Sequence, residues 1–254
     1  MRAGAGDDAA VRAAGTAVFP RFRLLRLGRT SSTQDVVRAA AQRGAPEGYC
    51  CVAAEQTAGR GRAGRSWVAP TGSALLMSLL LRRRPGVAAG VPLAGGLAIA
   101  DAVERVAGVA CRLKWPNDVL AGGGKLAGVL VEGAPGGATV LGIGVNLAVR
   151  SFPAGVAGAS LDAVAGRAVG ADALLAELFA RLGERLRQLE SGGVPALAPE
   201  WSERAAGLGT HVRAVIADRI VDGVAAGLDG DGALLLDTAA GRLRLVAGDV
   251  HLLP

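Results

Sequence analysis

The sequence predicts an α+β fold: a mixed, mostly antiparallel central sheet with helices packed on it, followed by a small C-terminal β-barrel. Three observations carry this. Apolar runs such as "KLAGVLVE" and "ATVLGIGVNLAV" follow one another across glycine-containing turns, as neighbouring strands of a meander do and regular βαβ units do not. "ADALLAELFARLGERLRQLE" repeats apolar residues at helical spacing with Arg and Glu between them. From about Leu208 the texture changes to short alternating runs separated by "DG", "DGDG" and "AG" turns.

In chain order, residues 1–18 are small and polar and read as a loose tail, too short for a helix-turn-helix domain. A large domain over 19–207 and the barrel over 208–254 follow. "RFRLLRL" alternates as a strand, and "SSTQDVVRAAAQRGA" reads as a helix with a serine cap and Gly44 at its end. "YCCVAAE" is a buried strand feeding "EQTAGRGRAGRSW", and "SALLMSLLL" is the strand that leaves that loop. Ala88 to Ala107 suits a buried helix. "CRLKWPNDVLAGGGKLAGVLVE" reads as two strands around a triple-glycine turn, and a short helix surrounds Trp201.

Bulk properties narrow the class. With 254 residues, 51% hydrophobic, the chain can bury a real core, and its net charge of +6 is a modest excess that suits anionic ligands without demanding nucleic acid. Cys50, Cys51 and Cys111 are odd in number and two are adjacent, which fits free thiols of a reducing cytosol better than a disulfide framework or a metal set. The longest apolar stretches fall short of the roughly 18 residues that span a bilayer, and the N-terminus lacks the apolar segment of a signal peptide. A cytoplasmic protein with no membrane partner is expected.

The loop over residues 54–67 holds three arginines among three glycines. Gly59 to Ser66 spells G-x-x-x-x-G-R-S, close to the phosphate-binding G-x-x-x-x-G-K-[ST], but a strand follows where that motif needs a helix N-terminus. An anion-binding catalytic loop, a solvated loop and a nucleic-acid contact all remain open on these residues alone. "KWPND" stiffens a strand end, so that Lys114, Asn117 and Asp118 project from a defined corner, or else is a simple proline turn. Gly128 inside "KLAGVLVE" and Gly142 and Gly144 inside "GIGVN" thin strands where a ligand or another backbone comes close, or where strands pack tightly. Ser31 to Thr33 cap a helix whose N-terminus also offers hydroxyls and N–H groups to a polar ligand.

The order and spacing of "SSTQ", "EQTAGRGRAGRSW", "KWPND", "GGKLAGVLVE" and "GIGVN" resemble the biotin–protein ligases, from about Leu24 to the C-terminus. The resemblance implies a sheet related to that of class II aminoacyl-tRNA synthetases. It implies an enzyme that joins biotin to ATP as biotinyl-5′-AMP with Mg²⁺ and passes biotin to a lysine of the carrier domain of a biotin-dependent carboxylase. Members with an N-terminal domain also bind DNA; here no DNA binding is expected. Whether the chain works as a monomer or a weak homodimer stays open.

The same resemblance supplies roles. Lys125 and Arg62 are the catalytic cations. Ser32, Thr33, Gln34, Gln56, Arg60, Gly61, Arg62, Lys125, Gly128 and Leu130 would form the biotin site, with the apolar chain along Gly128, Val129 and Leu130. Arg62, Arg65, Trp67, Lys114, Asn117, Asp118 and Asn146 would meet ATP, and Asn117 and Asp118 the Mg²⁺, directly or through water. The family's usual Ser-Thr-Asn is here Ser32, Thr33, Gln34, an amide one methylene longer. Trp67 is expected either to pack on adenine or to pin the end of a loop that is mobile when empty and closes on the adenylate. A lipoate or octanoate ligase would share the sheet, and a basic nucleic-acid module is the rival of a different class.

Overall fold

The computed structural model describes residues 21–82, 88–216 and 219–253. The expected tail of residues 1–18 lies outside them.

The large sheet has seven strands in the order β1-β2-β3-β7-β6-β5-β4. β1 (Arg23–Thr30) and β2 (Tyr49–Gln56) pair in parallel because α1 (Thr33–Gln42) crosses between them; the other neighbours are antiparallel. β3 (Ala74–Leu81) is buried along its whole length, which explains its unbroken apolar run. β7 (Ala138–Asn146) and β6 (Gly124–Ala134) form the long central hairpin.

The "CRLKWPNDVLAGGGKLAGVLVE" stretch makes three strands, not two. β4 (Arg112–Lys114) and β5 (Asp118–Ala121) are themselves a hairpin, and "KWPND" is its corner. A strand of three residues is too short for its periodicity to be read from sequence.

The two faces of the sheet are covered unequally. α2 (Val91–Ala107) and α4 (Ala171–Gly192) pack on one face and build the main core with Met77, Leu79, Leu141 and Ile143. α1 alone covers part of the other face, placing Val37 and Ala41 on Cys51, Leu80 and Val140. Short helices α3 (Leu161–Ala165) and α5 (Ala198–Arg204) complete the domain.

The C-terminal segment forms β8 (His211–Ile216), β9 (Arg219–Leu228), β10 (Leu234–Thr238), β11 (Gly241–Leu245) and β12 (Asp249–Leu252). They pair antiparallel in the order β11-β10-β9-β8-β12, so β11 and β12 are sheet edges and the expected barrel is an open sheet among the described strands. Its core is not separate either: Val212, Leu234 and Leu236 belong to one apolar cluster with α2 and α4. Trp115 donates its indole N–H to the Gly232 carbonyl at 3.1 Å across the same seam.

Candidate functional site

The site lies on the face that α1 covers only in part. Register fixes two rungs there. One runs Ser78, Gly142, Leu130 across β3, β7 and β6; the other runs Leu76, Gly144, Gly128, Asp118 across β3, β7, β6 and β5. They are two residues apart along each strand, roughly 7 Å.

The first rung meets the head of α1. A Cβ on Gly142 would stand 3.0 Å from the Gln34 side-chain nitrogen, so glycine is what lets that amide lie on the sheet. Gln34 Nε2 donates to the Leu130 carbonyl at 3.3 Å. The expected serine cap is absent: Ser32 stands at the N-cap without a side-chain cap bond. Gln56 takes its place, its Oε1 accepting from the Thr33 backbone N–H at 2.7 Å and the Thr33 hydroxyl at 2.9 Å. Thr33 Oγ1 also lies 2.8 Å from Ser78 Oγ, and with the Thr33 proton given to Gln56, Ser78 is left to donate.

Two polar atoms in this corner have no partner. Ser32 Oγ and Gln34 Oε1 are shut away, their residues 1% and 4% exposed, yet neither is hydrogen-bonded. A buried polar group in that state costs about 1–3 kcal/mol.

The second rung is floored by glycine and roofed by Trp67. A Cβ on Gly144 would come within 2.6 Å of the Trp67 ring and one on Gly128 within 3.2 Å. The close approach read from these glycines is therefore made by the protein's own indole, which pins the loop's end to the sheet. Lys125 bends along β6, bringing its ammonium 5.7 Å from the Trp67 ring centre and 2.6 Å from Asp118 Oδ1. Lys114 reaches Asp118 at 3.9 Å. Asn146 is buried and donates to the Lys125 carbonyl at 3.2 Å, which makes it a brace for that strand in this structure. Asn117 Nδ2 donates to the Val129 carbonyl at 2.7 Å.

The glycine-arginine loop is a small hairpin. Arg60 and Ser66 form a bridge, Gly61 N–H donates to the Arg65 carbonyl at 2.6 Å, and Arg65 N–H returns to the Arg62 carbonyl at 3.1 Å. Ala63 and Gly64 at its tip both have positive φ, 52° and 72°, the requirement of a type I′ turn.

Its three arginines part company. Arg60, expected at the ligand, forms a fork with Asp35 at 2.8 and 2.9 Å and reaches Glu132 at 3.2 Å, a carboxylate that Arg38 also holds at 2.6 Å. The hydrogen bond from Arg60 holds Asp35 below its ordinary pKa. Asp35, then Glu132, hold the Arg60 guanidinium above its own. Arg62 is half-buried, which lowers its pKa, and it donates to Asn117 Oδ1 and to the Gly248 carbonyl, each at 3.4 Å. Arg65, expected near phosphates, pairs with Asp249 at 2.6 Å. A cavity of about 580 Å³ opens beside the hairpin, with Leu130 and Glu132 on its far wall.

Mg²⁺ finds poor support as a resident ion. Asp118 is already engaged by two ammonium groups, and no group of three or more His, Cys, Asp or Glu gathers among the described residues. No described helix is long and apolar enough to cross a membrane, and Cys50, Cys51 and Cys111 are free and buried.

Ser78, Asp35, Glu132, Gly248 and Asp249 were not anticipated. Ser78 did carry a signal, as the lone hydroxyl in "ALLMSLLL". The others read as ordinary surface or turn residues until folding brings them to the arginines.

The model of the Biotin/lipoate A/B protein ligase family matches residues 27–149, and that of the Biotin protein ligase C terminal domain matches residues 207–253. The biotin–[acetyl-CoA-carboxylase] ligase of Paracoccus denitrificans is 38% identical over 78% of this chain and 88% of its own. The enzyme of that name from Mycobacterium tuberculosis is 35% identical over 88% of this chain and 86% of its own. Among solved structures, the biotin protein ligase from Aquifex aeolicus in complex with biotin and ATP matches with a TM-score of 0.79 at 26% identity, covering 90% of this chain and 97% of that one.

Proposed function

This chain belongs to the biotin protein ligase family, and we propose that its strand-borne and hairpin-borne residues divide the two steps of the reaction between them. It activates biotin with ATP and transfers it to protein. In the first step the biotin carboxylate attacks the α-phosphate, forming biotinyl-5′-AMP and releasing pyrophosphate. In the second, a lysine amine of a carboxylase carrier domain attacks the acyl carbon and AMP leaves.

The observation that carries the assignment of residues is the pairing of the two rungs. Ser32 Oγ and Gln34 Oε1, both buried and unpartnered, suit the ureido ring of biotin, which has donors and acceptors to offer them. Roughly 7 Å along the strand the Lys125 ammonium suits the carboxylate at the other end, with Gly128 and Leu130 beside the apolar chain between, while Val129 instead faces α2 on the other side of the sheet. An aliphatic acid such as octanoate would leave both polar atoms unsatisfied, and a polar site discriminates strongly against a ligand that cannot fill it.

Two anions must meet in the first step, so cations that hold both lower the barrier. Lys125 keeps N–H donors for the carboxylate and a bridging phosphate oxygen while Asp118 fixes its position. Arg62 sits beside Asn117 at the same corner and would neutralise the α-phosphate; Arg65, Lys114 and Asn146 flank the nucleotide's path. Trp67, already lying flat on its glycine floor, gives adenine a ring to pack against. Because Asp118 is spoken for, Mg²⁺ enters with the triphosphate as part of the substrate. The hairpin with Trp67 then screens the adenylate from water until the carrier lysine arrives.

The reading places the protein in the cytoplasm, as a monomer or weak dimer, with residues 19–207 as the catalytic unit and 208–254 as its partner sheet. A nucleic-acid role loses its main support once Arg60 is committed to Asp35 and Glu132. The test is exchange of labelled pyrophosphate into ATP with a panel of carboxylic acids. Biotin alone should drive it; exchange with lipoate or octanoate and none with biotin would contradict the assignment.

A further inference from the structure

The C-terminal sheet touches the hairpin at the corner where β12 begins. The two residues that flank the hairpin tip both reach it: Arg62 Nη1 donates to the Gly248 carbonyl at 3.4 Å, and Arg65 Nη2 meets Asp249 Oδ1 at 2.6 Å. Arg65 is steadied from within as well, its Nε donating to the Arg62 carbonyl at 3.2 Å. The corner that receives them is firmly held. Asp249 pairs with Val215 of β8, and Gly248, at φ 143°, leaves no room for a side chain, since a Cβ would stand 2.9 Å from the Val215 carbonyl oxygen.

We propose that Asp249 is a positioning residue for the ligation reaction: it holds Arg65, and with it the hairpin, in the closed arrangement that retains the adenylate. The proposal rests on the adenylate-forming reading above. It gives the C-terminal sheet a specific task, since the residue closing the hairpin lies 184 positions from the arginine it holds. Arg60 fixes the near end of the hairpin to α1 and β6, and Asp249 fixes the tip. The near anchor is a half-buried network of two arginines and two carboxylates that share several bonds, whereas the tip rests on the single Arg65–Asp249 pair, whose arginine is 58% exposed. Exposed pairs contribute little each. The tip is therefore the end that lets go, and Asp249 sets how readily.

A second role for the same contact predicts the opposite. Were Asp249 a competitor that occupies Arg65 in place of the triphosphate, removing its charge would tighten ATP binding.

The experiment compares the parent with Asp249→Ala, Asp249→Asn and Asp249→Glu in three readouts. These are KM and kcat for ATP in biotin-dependent pyrophosphate exchange, label deposited on serum albumin, and the thermal midpoint. Asp249→Ala should label albumin about two- to fivefold more than the parent with exchange kcat within about twofold, because closure and not chemistry is weakened. Asp249→Asn, which keeps the shape and loses the charge, should fall between, and Asp249→Glu should return to near the parent. Retention equal to the parent's in both Asp249→Ala and Asp249→Asn overturns the proposal, as does a lower KM for ATP in either. A lowered midpoint with escape unrestored by Asp249→Glu also overturns it, as a general loss of structure. A parent that shows no biotin-dependent exchange instead refutes the underlying reading.

Discussion

Lys125 and Arg62 bring positive charge to the same corner, Asn117 and Asp118, from supports of different stiffness. Lys125 stands near the start of β6, opposite Leu120 of β5 and bridged to Gly158, with its carbonyl braced by Asn146 and its ammonium fixed by Asp118. Arg62 stands beside the tip of a hairpin whose outer contacts are two long hydrogen bonds and a neighbouring exposed ion pair. A preorganised charge speeds a chemical step because nothing need move when charge develops. A charge on a hairpin that opens cheaply is suited to gating.

The largest effect should come from the stiff side. Lys125→Ala should slow biotin-dependent pyrophosphate exchange by about 10²- to 10³-fold, the scale for losing one preorganised donor. A loss under tenfold would mean that the sheet does not supply the main charge and would break the contrast.

Gly144→Ala tests the seam between the two halves. Its Cβ would lie 2.6 Å from the Trp67 ring, so the indole must lift and take the hairpin's end with it. Overpacking of this kind costs about 1–3 kcal/mol, which predicts a rise in KM for ATP of about tenfold. Biotin affinity, measured without ATP by calorimetry, should hold. Equal losses in both would show that the two rungs are not separable.

Ser32→Ala sharpens the comparison from within the rigid half. Its hydroxyl is buried without a partner, so removing it should leave the ligand-free protein as stable or more so, while biotin binds about five- to tenfold more weakly. A fall in the thermal midpoint with unchanged biotin affinity would show that the hydroxyl serves the fold and not the ligand.

The smallest expected effect is a dependence on pH. Asp35 has a folded pKa below the ordinary carboxylate value, held there first by its hydrogen bond from Arg60. A depressed carboxylate stabilises the fold above its unfolded pKa and loses that contribution as pH falls through the folded value. The near anchor of the hairpin should thus stay intact above about pH 4 and loosen only below it, with Asp35→Asn abolishing that acid-side change in protease sensitivity of the hairpin. Loosening already at pH 6 in the parent would point to another anchor.

Much of this was legible in the sequence, for reasons that differ by residue. β3 and β7 announce themselves because strands buried on both faces are nearly continuous apolar runs, and Gly142 and Gly144 stand out as the places where β7 is thinned. The resemblance placed Lys125, Ser32, Gln34 and Gln56 near one another, and the fold does bring them to one face. It could not show that Arg60 pairs with Asp35 and Glu132, because these are 25 and 72 residues distant. Nor could it separate a serine cap from a glutamine that reaches across from β2. The barrel was expected from turn spacing, which sets strand number but not whether the edges close.

The central claim is that the strand drives adenylation and the hairpin retains its product. The direct measurement incubates the Arg62→Gly and Lys125→Ala variants with biotin, ATP, a carrier domain and serum albumin, and reads label on albumin against label on the carrier. Arg62→Gly should still form biotinyl-adenylate and raise the albumin share well above the parent's, while Lys125→Ala lowers both labels together. If Lys125→Ala labels more albumin than the parent and Arg62→Gly does not, the roles assigned to strand and hairpin are reversed.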